Sequence, residues 1–211
     1  MKKLLLLGAI ALSINVFGQN VNIPDANFKA YLLGEPSINT NGDGEIQDRE
    51  AYNFKGIMHL RETGITDLKG IEAFTALKGL DCSKNKITIL NVTKNTALIG
   101  LKCKGNQLRS LDVTKNTGLR ELHCGGNQLT SLNLKKNKVL SNFYCQNNQL
   151  TYLDLKNNTG LTILSCSNNQ LTSLDLKNNT VLVKFYCDGN KLNCINDLPT
   201  DCELTGSIRC K

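Results

Sequence analysis

The stretch Leu98-Ile-Gly-Leu101-Lys-Cys103-Lys-Gly-Asn106-Gln-Leu108 returns 21 residues later as Leu119-Arg-Glu-Leu122-His-Cys124-Gly-Gly-Asn127-Gln-Leu129. The step is kept through Cys82, Cys103, Cys124, Cys145, Cys166 and Cys187, and through Asn85, Asn106, Asn127, Asn148, Asn169 and Asn190. A weaker unit, with Leu60, Ile65, Leu68 and Ile71, precedes them. Within each unit a segment such as Leu101-Lys102-Cys103 alternates apolar, polar, apolar, the pattern of a short strand with one face turned inward. No single unit can bury its leucines; only stacked neighbours can, so a fixed period of this length specifies a solenoid. The expected architecture is an α/β solenoid of mostly β character. It is a right-handed coil with a parallel sheet along its concave side, on the order of 30 Å long at ~4.8 Å per strand. A 21-residue unit leaves little room for a helix on the convex side, where short extended segments are expected.

The asparagine column has a physical reason. Where the chain turns off the strand, inward backbone groups lack a ladder partner, and an Asn amide supplies both donor and acceptor. A second column, Asn95, Asn116, Asn137, Asn158 and Asn179, marks the opposite turn. The cysteine ladder reads as small apolar filler. A nucleophilic thiol needs a base beside it and solvent access, and His123, adjacent to Cys124, points to the opposite face. Zinc needs clustered ligands, whereas this spacing sets one thiol per strand in a line.

Outside the repeats, Lys2-Lys3 and the apolar run from Leu4 to Val16 read as a signal peptide over 1–18, too short to span a membrane. The expected division is an N-terminal cap over 19–56 with a small helical part, repeats over 57–193 and a C-terminal cap over 194–211. The sequence holds 25 basic and 18 acidic residues, a net charge of +7 that falls to +5 without Lys2 and Lys3. The charge divides into an acidic head (Asp25, Glu35, Asp43, Glu45, Asp48, Glu50) and a basic repeat body. In the head, Asn39-x-Asn41-x-Asp43-Gly44-Glu45-Ile46-x-x-x-Glu50 follows the spacing of an EF-hand loop. The Asn39, Asn41, Asp43 and Glu50 side chains and the Glu45 carbonyl are its candidate Ca2+ ligands, with weak affinity expected from only two ligand carboxylates. The alternative is a metal-free polar turn built on Asn41-Gly42 and Asp43-Gly44. In the tail, Cys194, Cys202 and Cys210 lie beyond the last coil. One bridge is expected among them in an oxidising compartment, Cys194–Cys202 by preference, closing the terminal cap.

The unit Leu-x-x-Leu-x-Cys-x-x-Asn-Gln-Leu-Thr-x-Leu-Asp-Leu, seen at 161–176, with Phe143 for the second Leu at 140–155 and with Asn133 for Asp at 119–134, is a leucine-rich-repeat motif. It resembles the cysteine-ladder repeats of the internalins, surface proteins of Gram-positive bacteria, and Leu60-Arg-Glu-Thr-Gly-Ile-Thr-Asp-Leu-Lys-Gly-Ile71 resembles their first repeats. The head, Ile23-Pro-Asp-Ala-Asn-Phe-Lys-Ala-Tyr31 through Ile46, is similar to that of secreted repeat proteins of the Bacteroidetes. The resemblance implies attachment: recognition of host or surface molecules through the repeat face.

The residues point to a non-enzymatic binding module for a protein or glycan, exported and then secreted, cell-surface or periplasmic. The alternative is a structural or assembly scaffold of the cell envelope. The two histidines, His59 and His123, sit in no recurring Ser-His-Asp or paired-carboxylate arrangement. Export argues against nucleic acid as partner, although the basic body would suit it. Alternation places Asp81, Lys102, His123, Tyr144, Ser165 and Tyr186 on the concave face, with Ser83, Lys104, Gly125, Gln146, Ser167 and Asp188 just after each cysteine. The densest aromatic and charged group there is Lys102, Lys104, His123, Tyr144, Gln146, Lys184 and Tyr186, the mixture found at recognition hot spots and sugar-stacking platforms. A solvated polar sheet is the bland alternative.

Overall fold

The computed structural model describes residues 18–193, 198–199 and 202–205. Nearly all of the apolar leader, and Cys194 and Cys210 with the bridges expected of them, lie outside the described residues.

Eight three-residue strands stack in chain order into one parallel sheet: β1 (Ile57–His59), β2 (Gly79–Asp81), β3 (Gly100–Lys102), β4 (Glu121–His123), β5 (Asn142–Tyr144), β6 (Ile163–Ser165), β7 (Lys184–Tyr186) and β8 (Glu203–Thr205). The register repeats the sequence period. Leu80, Leu101, Leu122, Phe143, Leu164 and Phe185 align as middle residues, and all are buried. The cysteine column lies directly behind them, fully buried from Cys82 to Cys187. Burial pushes these thiols up, Cys124 to about 12 and Cys187 to about 11, so none is a thiolate near neutral pH.

Two asparagine columns brace the coil turns differently. Asn127 is typical of the first. Its Oδ1 accepts from the Leu108 N–H at 3.1 Å, and its Nδ2 donates to the Cys103 and Cys124 carbonyls at 3.0 Å each. The amide therefore supplies both a donor and an acceptor. In the second column Asn137 Nδ2 donates to the Val113 and Asn116 carbonyls at 3.0 and 2.9 Å. Its Oδ1, like that of Asn95, Asn116, Asn158 and Asn179, is buried with no partner among the described residues. On the far side of each coil the second column sits in tight i to i+3 turns, such as Asn95 N–H to Val92 C=O and Leu98 N–H to Asn95 C=O, the opposite turn expected of it, and the segment leading into such a turn, for example 110–113, is neither helix nor turn.

One further column marks the exit from the sheet. Lys84, Gly105, Gly126, Asn147, Asn168 and Gly189 all have φ between 54 and 70°, the left-handed region that Gly and Asn enter most readily.

At the head, α1 (Ala26–Gly34) buries Phe28 and Leu32 against the first coil. Asp25 joins the two parts. Its Oδ1 caps the helix by accepting from Asn27 and Phe28 N–H, and its Oδ2 accepts from the Thr66 N–H and hydroxyl and the Asp67 N–H. A second helix, α2 (Asp48–Asn53), follows the candidate calcium loop. At the other end, β8 extends the sheet by a strand beyond the seven units of the sequence. Leu198, Cys202 and Leu204 pack partly buried on the core there.

Candidate ligand-binding face

Because the middle residue of every strand points inward, the first and third residues form two rows on the concave face. The third-residue row runs His59, Asp81, Lys102, His123, Tyr144, Ser165, Tyr186. The first-residue row runs Ile57, Gly79, Gly100, Glu121, Asn142, Ile163, Lys184. The expected site residues fall into two groups, with Lys104 outside both.

Tyr144, Gln146, Lys184 and Tyr186 come together. With Ile163 and Ser165 they line a shallow cavity of about 360 Å³. The two tyrosines stand on β5 and β7 with only Ser165 between them, so their backbones are about 10 Å apart at two strand spacings. A small residue between two rings opens a slot, and a planar ring or a sugar is the kind of body that fills one. The Oε1 of Gln146 is buried without a partner among the described residues.

Lys102 and His123 are engaged elsewhere. Glu121 Oε1 sits 3.3 Å from Lys102 Nζ and 2.7 Å from His123 Nε2. The latter approach is off the ring N–H direction and makes a close polar contact rather than an aligned hydrogen bond. Burial pushes His123 below the usual imidazole range, against the pull of Glu121. Its ring packs on Tyr144 at 4.2 Å between centroids and 45° between planes. His123 thus props Tyr144 from the head side. Lys104 is exposed and lines neither the cavity nor this cluster. Glu121 was not singled out from the sequence, although its place two before His123 in the strand sets it on the same face.

The candidate calcium loop is a closed hydrogen-bonded turn. Asn39 Oδ1 accepts from Gly42 N–H, Asn41 Oδ1 from Asp43 N–H, and Asp43 Oδ1 from Glu45 N–H. Asp43 Oδ2 is held by the Asn41 and Gln47 side-chain amides at 2.9 Å each. Glu50 Oε1 accepts from Thr40 N–H, its hydroxyl and Asn41 N–H, Oε2 accepts from Gln47 N–H, and Lys29 takes the Glu45 carboxylate. As arranged, protein donors occupy the positions a cation would need at Glu50. Among the described residues no three His, Cys, Asp or Glu side chains converge as metal ligands would.

The fold described here recurs in known proteins. An internalin (InlF) of Listeria monocytogenes superposes with a TM-score of 0.74 at 20% identity, over 91% of this chain and 59% of that one. Internalin C2 of the same organism gives 0.74 at 24% identity, over 87% of each chain. The family described as Endo-beta-N-acetylglucosaminidase EndoS LRR domain matches residues 44–148. The chain is a leucine-rich-repeat protein. The functional domain of InlJ from Listeria monocytogenes, described as including a cysteine ladder, is 26% identical over 85% of this chain and 54% of that one, at a TM-score of 0.37. The leucine-rich-repeat chain spans 59% of the length of the first of these structures. No curated protein matches its sequence. Among the described residues no helix is long and apolar enough to cross a membrane. The leucine-rich-repeat fold is a protein-binding scaffold, and its concave sheet is the surface that varies here from coil to coil while the buried columns do not.

Proposed function

We propose that this leucine-rich-repeat protein is an exported, non-enzymatic binding module that recognises a protein or glycan through its concave sheet, in adhesion to a surface. The observation that carries the reading is the cavity lined by Tyr144, Gln146, Ser165, Lys184 and Tyr186. Two tyrosines, an amide and an ammonium converge on a face whose structural work is done by the residues behind it. Tyrosine rings give contact area at little entropic cost and stack on sugar faces or peptide planes. The matching family, named for an endo-β-N-acetylglucosaminidase, supports a glycan as one ligand class.

The non-enzymatic part is supported by the chemistry of the groups present. The ladder thiols are buried and protonated, and His123 packs on a tyrosine with Glu121 as its charged neighbour, away from any thiol. Export is supported by the apolar leader, which this reading removes at residue 18. The test is a glycan and surface-protein array probed with the chain from Gln19 onward. Saturable binding to a defined subset is expected, and silence across both arrays favours an envelope scaffold instead.

Ca2+ at the head loop is a separate proposal. The chain of Asn39, Asn41 and Asp43 turns and the reversal at Gly44, φ 83°, place several oxygens on one loop. An entering ion has to displace the donors now held by Glu50 and Asp43, so the affinity is weak, ~10⁻⁴–10⁻³ M.

A further inference from the structure

Nearer the head, the concave face carries a second recess, of about 450 Å³. It exists because the first-residue row has glycine on two adjacent strands, Gly79 on β2 and Gly100 on β3. Glycine inside a strand costs conformational entropy and leaves no side chain to pack. The backbone does not ask for it here, since neither glycine lies in the left-handed region. Nor do sterics demand it at Gly100, where an added Cβ would meet nothing closer than Glu121 Oε2 at 3.9 Å. What the pair provides is room above a backbone floor. In the first-residue row Ile57, 55% exposed, and Glu121 stand on either side of the glycine pair, and Ile99, 43% exposed, is part of the lining.

The rim has a charge pattern. Lys78 and Arg120 flank Ile99 in the row just ahead of the strands, and neither has a carboxylate within 4 Å among the described residues. On the opposite rim Lys102 is already paired with Glu121. The exposed side therefore offers two unpaired cations on either side of an aliphatic wall. Among the described residues no Tyr, Trp or Phe ring lines the recess to stack on a sugar. We propose that this recess seats one aliphatic side chain of a protein partner, whose neighbouring acidic residues pair with Lys78 and Arg120. The site is independent of whether the tyrosine end binds anything.

The test is fluorescence anisotropy of the purified full chain with a fluorescein-labelled pentapeptide of central leucine flanked by aspartates, at low salt. Saturable binding is expected. Gly100→Leu fills the recess from an open position and should weaken binding by about tenfold or more, the worth of one buried aliphatic side chain, with the melting temperature unchanged. Lys78→Ala with Arg120→Ala should weaken binding and abolish the preference for the aspartate peptide over its asparagine counterpart. Tyr152→Ala, at an exposed position outside the recess, should leave binding as it was. Equal binding by Gly100→Leu, equal binding of a peptide with serine in place of leucine, or no saturation by millimolar protein overturns the proposal. So does displacement of the peptide by maltohexaose, which would assign the recess to a glycan.

Discussion

Replacing Asn127 by alanine tests how the coil turns are held. The substitution removes an acceptor from the Leu108 N–H and a donor from the Cys103 and Cys124 carbonyls, all three in the buried turn. A buried polar group left without its partner costs about 1–3 kcal/mol. Carbonyls tolerate the loss better than an N–H, so we take the low end for two of the three and expect about 3–5 kcal/mol in all. For a chain of this size each kcal/mol moves the melting temperature by about 2–4 °C, a fall of roughly 6–20 °C. Asn137→Ala is the internal control. It orphans the Val113 and Asn116 carbonyls but also removes the Asn137 Oδ1, buried without a partner, so it should cost less, about 2 kcal/mol. Urea unfolding followed by circular dichroism measures both, with an unchanged slope as evidence that the same transition is compared. A cost below about 1 kcal/mol for Asn127→Ala, or a larger cost for Asn137→Ala, refutes the assignment of the two columns.

Three more outcomes follow from the head and the core. Asp25→Ala should destabilise the chain by about 1–3 kcal/mol by uncapping α1 and freeing the Thr66 and Asp67 N–H groups. Burial alone would raise the Asp25 carboxyl, but the hydrogen bonds from Thr66, Phe28 and Asp67 outweigh it and hold the group below its ordinary 3.8. Its contribution is therefore present above about pH 4 and lost as pH falls through the lower folded value, so the gap in melting temperature between wild type and variant should narrow in acid. A gap that widens contradicts this. The six ladder thiols should resist an exposed-thiol reagent in the native state and react on unfolding, because burial keeps them protonated; rapid native labelling would show a looser core. Millimolar Ca2+ should raise the melting temperature by a degree or two, an effect that Glu50→Gln diminishes, and an unchanged melting temperature defeats the calcium proposal.

The stacked sheet was legible because one buried leucine and one buried cysteine recur per strand, and a solenoid's packing is only a nearest-neighbour matter. Side-chain partnerships across coils were harder to read. Asp25 meets Thr66 across 41 residues, and nothing local in the head announces that contact. The left-handed column was written in the sequence as Gly105, Gly126, Asn147, Asn168 and Gly189, with Lys84 as the exception that hides it. On the concave face, alternation gave the third-residue row from Asp81 to Tyr186. It could not say that Glu121 would gather Lys102 and His123 while leaving Lys184 beside the tyrosines, because that depends on side-chain reach between rows. The second asparagine column was legible as the opposite turn, but the partners of its amides were not, for a related reason. The second asparagine column bonds across coils to carbonyls 21 and 24 residues back, a constraint that strand alternation does not reveal.

Recognition through the concave tyrosine slot is tested most directly by two double variants measured on the same array of glycans and surface proteins. Tyr144→Ala with Tyr186→Ala removes both rings of the slot, whereas Lys135→Ala with Lys136→Ala removes two exposed loop cations away from it. The concave-face account predicts that the tyrosine pair abolishes the wild-type signals at an unchanged melting temperature and that the lysine pair keeps them. Signals that survive the tyrosine pair and vanish with the lysine pair, falling steeply with salt, would mean charge attraction by the loops and would contradict it.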